Sequence, residues 1–317
     1  MTNPQPWTGI IPATFLPLQE DYQIDEDELR RLLRFLKSVP GVTGLTCNGH
    51  AGNVLSLSRE EQRRVIEIHV DEAQGKINVV AGIKAEATWK VIELMQDARD
   101  AGANAVLVLP PETFRGVTDL GPDVPYQFFS TIAQAVDIQI IVFQNPRFRG
   151  YAYTSETLAK LAEIENIVGV KLSNWDIKKY EQDIWALKRA KRRVAILPAN
   201  DTLLFASYLH GADGSLIGLA SLAPHWAVEL FEAAQRGDIA RAREINDQLF
   251  PLVELFYETP GLNIYGAMKE ALFMMGILTK PSLSRPPLSP MTARERDAIR
   301  RALEQSGLME FYRNMRR

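Results

Sequence analysis

The sequence contains little cysteine and little histidine. Among its 317 residues, Cys47 is the single cysteine, and there are four histidines. One thiol cannot form an intramolecular disulfide or build a zinc site based on several cysteines. We therefore expect a protein of a reducing compartment, located in the cytoplasm, without a bound metal.

An excess of charge of one sign and a long apolar run are also missing. The formal net charge is −3, so no basic surface is expected that would neutralise the phosphates of a nucleic acid. No stretch approaches the roughly 20 apolar residues that a membrane helix requires. Residues 1–6 lack the basic start of a secretion signal. These absences favour a small molecule over a nucleic acid or a membrane as the partner.

The chain does contain a regular alternation of short apolar segments and longer amphipathic ones. The short segments are rich in β-branched residues and are typical of buried parallel strands. Eight such strands are predicted at 9–15, 42–47, 78–83, 105–109, 139–143, 167–172, 193–197 and 214–219. The helices predicted between and after them cover 25–38, 58–73, 88–101, 125–135, 155–164, 177–190, 202–209 and 223–236.

This alternation predicts an α/β protein with a (β/α)₈ TIM barrel. An open doubly wound sheet is the main alternative, and the missing glycine-rich dinucleotide fingerprint weighs against it. After Gly237 only helical patterns follow, at 239–256, 261–275 and 293–305, with a proline-rich linker at 281–290. We expect the barrel over residues 1–236 and a C-terminal helical extension over residues 237–317.

Lys171 ends the sixth apolar run, and the catalytic groups of a barrel sit at the carboxyl ends of its strands. Burial there would lower the lysine pKa, because it disfavours the charged ammonium. A neutral amine attacks a ketone, and loss of water gives an iminium that draws electrons from the adjacent bond. A strand-end lysine can also extend into solvent, and spacing alone favours that interpretation.

A combination of motifs favours the catalytic interpretation of Lys171 over the solvent-exposed one. The chain has Gly-x-x-Gly at 49–52 followed by Leu55 and Leu57, then Ala81-Gly82, Pro110, a turn at 146–150 and Gly169-Val170-Lys171. With these motifs it resembles the dihydrodipicolinate synthase / N-acetylneuraminate lyase family over nearly its full length. The resemblance implies a Schiff base between Lys171 and pyruvate or another 2-oxo acid. It also implies that no cofactor is needed and that the chain forms a homo-oligomer, a dimer or a tetramer.

The chain departs from the family pattern at positions that the resemblance makes catalytic. The strand-five tyrosine of the family, a proton relay, aligns with Phe143, which has no exchangeable proton. The Gly-Thr-Thr-Gly-Glu signature reads Gly49-His50-Ala51-Gly52-Asn53, the second relay tyrosine aligns with Glu112, and the family arginine aligns with Phe148. The standard condensation of lysine biosynthesis is therefore not expected.

Two of the replacements can carry protons. We hypothesise that His50, oriented by Glu112, supplies acid and base chemistry near the iminium, because imidazole titrates near neutral pH. A loop histidine that only shapes the pocket fits the sequence equally well. Asn200 and Asp201 follow the seventh strand, where they could hydrogen-bond to substrate. An Asn or Asp at this place also caps the next helix, and capping is the favoured interpretation. The candidate substrate-binding residues at these strand ends are Gly49, Ala51, Asn53, Phe143, Asn145, Arg149 and Leu219.

Together these observations predict a class I aldolase or dehydratase, a Schiff-base-forming lyase. Its expected substrate is a 2-oxo acid such as pyruvate or a 2-keto-3-deoxy sugar acid. Aldol cleavage, dehydration and deamination stay open, as does the direction of the reaction. A catalytically weak 2-oxo acid binding or sensor protein is the alternative from another class, since fold alone does not fix function. A metal-dependent aldolase is disfavoured by the lack of a histidine-rich cluster.

Overall fold

The structure is a computed structural model that describes residues 7–114, 123–146, 152–281 and 283–315. Within these residues, parallel strands alternate with helices in the predicted order. The strands are β1 (Gly9–Pro12), β2 (Gly44–Cys47), β3 (Asn78–Ile83), β4 (Ala105–Val108), β5 (Gln139–Gln144), β6 (Ile167–Leu172), β7 (Ala195–Pro198) and β8 (Gly214–Ile217). Nearly all of their residues are buried, as expected for strands covered on both faces.

The strands close into a barrel. β2 to β7 pair in sequence order in one parallel sheet, and β8 pairs with β1. A bridge between Ile10 and Val42 joins β1 to the segment before β2. On the other side, the N–H of Asp213 donates to the carbonyl of Ile196, at 3.0 Å, between β7 and β8. The predicted α/β class and (β/α)₈ barrel are therefore confirmed.

Within the described parts of the chain, eight α-helices follow the strands in turn, and several of them begin with a cap that is encoded locally. They are α1 (Glu26–Lys37), α2 (Arg59–Ala73), α3 (Thr88–Asp100), α4 (Asp123–Ala135), α5 (Ser155–Leu161), α6 (Ile177–Arg189), α7 (Leu204–Leu209) and α8 (Pro224–Gln235). The carboxylate of Asp25 accepts the N–H of Glu28 and begins α1. Ser58 and Glu61 form a capping box at α2.

The C-terminal extension is helical, as predicted. It comprises α9 (Ile239–Val253), a π-helical turn (Glu254–Glu258), α10 (Ile264–Met274), α11 (Ala293–Ser306) and α12 (Leu308–Met315). Pro251 lies inside α9 and lacks an N–H, and the chain widens into the π turn three residues later. We propose Gly237, between α8 and α9, as the boundary between the barrel and the extension. None of the described helices has both the length and the apolar character needed to cross a bilayer.

Two cationic side chains attach the extension to the barrel. The Nζ atom of Lys269, on α10, is buried and donates to the carbonyls of Leu16, at 3.1 Å, and Leu283, at 2.5 Å. Arg285 pairs with Glu61 and donates to the carbonyl of Tyr22, at 2.9 Å. The segment 283–288, called the strap below, is thereby held over the loops that follow β1 and β2.

Candidate active site

Lys171 lies in a small cavity at the carboxyl end of the barrel. Its position on β6 is opposite Phe143 on β5, and its Nζ atom lies 4.3 Å from the centroid of the Phe143 ring. The cavity has a volume of about 60 Å³, and Gly49, His50, Ala51 and Asn145 also line it. The structure therefore brings most of the residues predicted from the strand ends into one place, which we call the inner cavity.

A second space lies between the barrel and the extension. This outer compartment has a volume of about 670 Å³, and His50, Asn145, Tyr257 and Tyr265 line both it and the inner cavity. Asn53 lines it as well, together with residues 285–288 of the strap. A substrate that reaches Lys171 can therefore extend its far end into the outer compartment.

The surroundings of Lys171 make its amine reactive. Burial lowers the pKa of Lys171 to about 8, and the nearby carboxylate of Asp201 opposes this effect by favouring the ammonium. At neutral pH roughly one amine in ten is then uncharged. An ordinary lysine with a pKa of 10.5 would supply far less of the nucleophilic form.

Asp201 faces the inner cavity from the turn after β7. One of its carboxylate oxygens accepts the N–H of Leu219 at 2.9 Å, and its side chain is also hydrogen-bonded to Tyr257. Burial raises the pKa of Asp201 to about 6. The expected helix cap is provided by Asn200, which accepts the N–H of Thr202 at 3.1 Å. Of the two residues considered for this cap, Asn200 provides it, and the carboxylate of Asp201 is directed to Leu219 and Tyr257.

The loop after β2 is held against β3 by a close approach of the two backbones. A Cβ atom on Gly82 would lie 2.1 Å from the carbonyl oxygen of Asn48, so only glycine leaves room for this contact. The side chain of Asn48 donates to the carbonyl of Gln62 at 2.9 Å. His50 follows at the inner cavity, with its ring centroid 5.8 Å from that of Phe143.

Two predicted residues are placed differently from the rest. Glu112 forms an ion pair with Lys84 at 3.3 Å, and it lines neither the inner cavity nor the outer compartment. Leu219 is fully buried and contributes its N–H to Asp201, and its side chain is not part of the cavity lining. Arg149, like Phe148, lies outside the described residues.

A buried carboxylate supports the loops beside Lys171. Asp183 on α6 accepts hydrogen bonds from Gln144 at 2.9 Å, Asn174 at 2.5 Å and Ser155 at 2.7 Å, and it pairs with Lys179. Gln144 and Asn174 follow Phe143 and Lys171 closely in sequence. This network therefore fixes the ends of β5 and β6, from which the Phe143 ring and the Lys171 amine project into the inner cavity.

Sequence reasoning missed the contribution of the extension to the site. Tyr257, in the π turn, and Tyr265, on α10, line the inner cavity but do not lie at strand ends. The rule that finds catalytic residues at the ends of barrel strands has no means of indicating them. The one available signal was Pro251, which marks an irregularity in the helix just before Tyr257.

Comparison with known proteins agrees with this fold and site. The profile of the dihydrodipicolinate synthetase family matches residues 6–306. The 4-hydroxy-tetrahydrodipicolinate synthase of Methanopyrus kandleri is 35% identical over 305 residues, which cover 95% of this chain and 97% of the relative. The similarity between this chain and the Methanopyrus kandleri enzyme thus extends through both the barrel and the extension.

Solved structures give the same result. The dihydrodipicolinate synthase of Thermotoga maritima superposes with a TM-score of 0.86 at 27% identity, over 95% of this chain and 99% of that one. The enzyme of Acinetobacter baumannii, solved in complex with pyruvate, gives a TM-score of 0.85 at 29% identity over the same shares. The prediction of a Schiff-base-forming lyase is confirmed, and the weak-binding alternative gains no support. The chain belongs to the dihydrodipicolinate synthetase family, whose members are class I lyases that act on pyruvate.

Proposed function

We propose that the amine of Lys171 attacks the C2 carbonyl of pyruvate or a larger 2-oxo acid and forms the Schiff base of this lyase. The observation that carries the proposal is the position of Lys171 at the end of β6, where its amine projects into a small, partly enclosed cavity and desolvation lowers its pKa to about 8. The resulting iminium accepts the electrons of the bond that is broken or formed at C3.

The loop after β2 is the proposed site for the substrate carboxylate. Gly49, His50 and Ala51 line the inner cavity beside Lys171. A tight turn of this kind presents backbone N–H groups that bind an anion without a cationic side chain. Phe143 lines the cavity between the turn and Lys171 and contacts both. Asn145 and Asn53 offer amide groups to the substrate hydroxyls or carbonyls nearer the outer compartment.

The proposed acid and base for the C3 bond is His50, because it lines both spaces and stands between Lys171 and the far end of a substrate. Glu112 is more simply explained by its pairing with Lys84. If His50 moves this proton, His50→Ala should lower kcat about a hundredfold while adduct formation at Lys171 persists. An unchanged kcat in His50→Ala would leave His50 as a wall of the pocket.

The far end of the substrate is proposed to be largely apolar. Leu262, Ile264, Pro287 and Leu288 contribute to the wall of the outer compartment. Arg285 also lines it, but its guanidinium is engaged by Glu61 and by backbone carbonyls. A 2-oxo acid with an alkyl or aryl substituent therefore fits this part of the described site better than one with a second carboxylate.

Borohydride reduction followed by intact-protein and peptide mass spectrometry tests the Schiff base. Wild type incubated with pyruvate and with 2-oxo acids of increasing apolar length should carry a stable adduct on Lys171. Lys171→Ala should remain unlabelled, whereas the matched control Lys191→Ala, at an exposed lysine, should label like wild type. A wild type that stays unlabelled by the whole panel would contradict the proposal.

We also propose that the enzyme acts in the cytoplasm as a homo-oligomer, a dimer or a tetramer. Membership of the family and the single buried cysteine support this assignment. Light scattering coupled to size exclusion measures the mass in solution, and a monomer at micromolar concentration would contradict it.

A further inference from the structure

The replacement of the family relay tyrosine by Phe143 leaves open how protons move at Lys171. Phe143 has no exchangeable proton, and its ring covers the amine at 4.3 Å. The carboxyl group of Asp201 and the hydroxyl group of Tyr257 line the same cavity, carry exchangeable protons and are not used in the steps above.

We propose that Asp201 carries the proton that must leave Lys171 and return during Schiff-base formation, and that Tyr257 positions Asp201 for this transfer. This inference rests on the proposed function of Lys171. It assigns a chemical role to the C-terminal extension, because Tyr257 is supplied by the π turn rather than by the barrel.

The geometry supports this pair in three ways. Asp201 and Lys171 line the same cavity of about 60 Å³ and interact electrostatically. One carboxylate oxygen of Asp201 is fixed by the N–H of Leu219 at 2.9 Å. The hydroxyl of Tyr257 hydrogen-bonds to the same carboxylate, so Leu219 and Tyr257 together fix the orientation of the Asp201 carboxylate.

The acid strengths of the two groups are brought close together by their burial. The pKa of Asp201 is raised to about 6, while that of Lys171 is lowered to about 8. With ordinary values of 3.8 and 10.5, a carboxylate would rarely take a proton from an ammonium. Here the difference is about two pH units, so the transfer is accessible during turnover.

The proposed sequence moves one proton from Lys171 to Asp201 and then on to the departing oxygen. Asp201 accepts a proton from the Lys171 ammonium, and the free amine then forms a C–N bond to C2 as the carbonyl π bond opens onto oxygen. A proton passes from the nitrogen to that oxygen and gives a neutral carbinolamine. Asp201 returns its proton to the C2 hydroxyl, the C–O bond breaks, and water leaves as the C=N⁺ bond forms. The proton that Asp201 gives back is the one that it took.

Other titratable groups surround the pair and define what a pH profile will report. Tyr208, on α7, and Tyr265, on α10, act electrostatically on Asp201 and Tyr257, and burial raises the pKa of Tyr208 above 10. His50 lines the cavity from the β2 side. Removing the Tyr257 hydroxyl deletes a hydrogen bond that favours the ionised carboxylate, so the pKa of Asp201 should rise.

The test is the rate of adduct formation between enzyme and pyruvate, measured by rapid quenching in borohydride from pH 5 to 9. Because Asp201 must be ionised to accept the proton, the wild-type rate should fall as the pH drops through about 6. In Tyr257→Phe this fall of the rate, the acidic limb of the pH profile, should occur at a pH that is higher by roughly one unit. The final amount of adduct should be the same as in wild type. Asp201→Asn should lower the rate at least tenfold and abolish the limb.

Two further variants keep the result interpretable. Tyr312→Phe is the matched control, since this buried tyrosine of the extension contacts His225 instead of the cavity, and its profile should equal that of wild type. In Gly218→Ala the new Cβ would lie 3.3 Å from the Tyr257 oxygen, and the limb should shift in the same direction as in Tyr257→Phe.

The outcomes separate the two proposals. An acidic limb that stays in place in Tyr257→Phe, or that survives in Asp201→Asn, would overturn the role of this pair while the adduct on Lys171 still supports the lyase. Absence of the adduct in wild type would overturn the proposed function, and this inference with it.

Discussion

Phe143 and Lys171 occupy facing positions on β5 and β6, and the amine nitrogen of Lys171 lies 4.3 Å from the centre of the Phe143 ring. The face of an aromatic ring attracts a cation. The ring of Phe143 therefore stabilises the charged form of the nucleophile. This stabilisation opposes the effect of burial on the same amine.

We predict that Phe143→Leu lowers the pKa of Lys171 below its value of about 8, by up to roughly one unit. Leucine preserves the apolar surroundings but has no ring face. The pH dependence of adduct formation with pyruvate measures this pKa. Phe143→Tyr is the matched control, since it retains the ring and should leave the pKa close to 8. A pKa that stays the same or rises in Phe143→Leu would contradict the prediction.

The stability of the barrel should depend on the neutral state of His69. This side chain is fully buried on α2, with one ring nitrogen 2.8 Å from the carbonyl of Val65 and the other 2.9 Å from the hydroxyl of Thr14. Burial lowers its pKa to about 4, so between pH 6.5 and 4 the unfolded chain binds a proton that the folded chain does not.

We predict that this histidine costs the folded state about 3 kcal/mol of stability as the pH falls from above 6.5 to 4. Urea unfolding of wild type and His69→Gln at several pH values isolates the effect, because glutamine does not titrate. The free energy of unfolding of wild type should fall more steeply with acid than that of the variant. If the free energy of unfolding depends on pH equally in wild type and His69→Gln, burial does not lower the pKa of His69 and the prediction is contradicted.

Asp183 should be a strong determinant of stability. Its replacement by alanine leaves the buried donors of Gln144 and Asn174 without their acceptor, so Asp183→Ala should lower the free energy of unfolding by about 3–5 kcal/mol. Asp123→Ala, at a carboxylate whose only described pairing is the exposed one with Lys160, should unfold like wild type in the same denaturant titration. Equal effects of the two substitutions would contradict the importance of the buried network.

The strap should control binding in the outer compartment. Arg285→Met removes the pairing with Glu61 and the bonds to backbone carbonyls that hold residues 283–288 in place. We expect a KM for the larger substrate that is raised about tenfold, with a smaller change in kcat, because Lys171 lies elsewhere. Arg296→Met removes a pairing of the extension with Glu270 away from the compartment and should leave KM unchanged. A KM that is unaffected in Arg285→Met would show that the strap does not shape the substrate site.

Most of the barrel was predictable because its strands are short apolar runs with clear ends. The bounds predicted for β3 and β6 agree with the structure. β1 ends earlier than predicted, at Pro12, because regular strand pairing stops soon after it while the apolar residues that follow remain buried, and burial is what the pattern detects. The helix α12 was not predicted, since its residues form a short segment directly after Gly307, which ends α11 in a left-handed conformation.

The site was predictable to the extent that strand ends define it. Lys171, Gly49, His50 and Asn145 come together because the carboxyl ends of parallel strands share one rim of the barrel. Tyr257 could not be found in this way, because its place depends on how the extension packs on that rim. Helical periodicity indicates that a residue lies on a helix, but it does not say which part of the barrel that helix will meet.

The contact between Gly82 and Asn48 restricts how this enzyme can evolve. Every side chain larger than a hydrogen atom at position 82 would displace the loop that carries Gly49 and His50, so we expect a saturation library at this position to return glycine alone among active clones. New specificities must therefore arise through the side chains exposed by the loop and by the strap, while the path of the loop backbone is inherited unchanged.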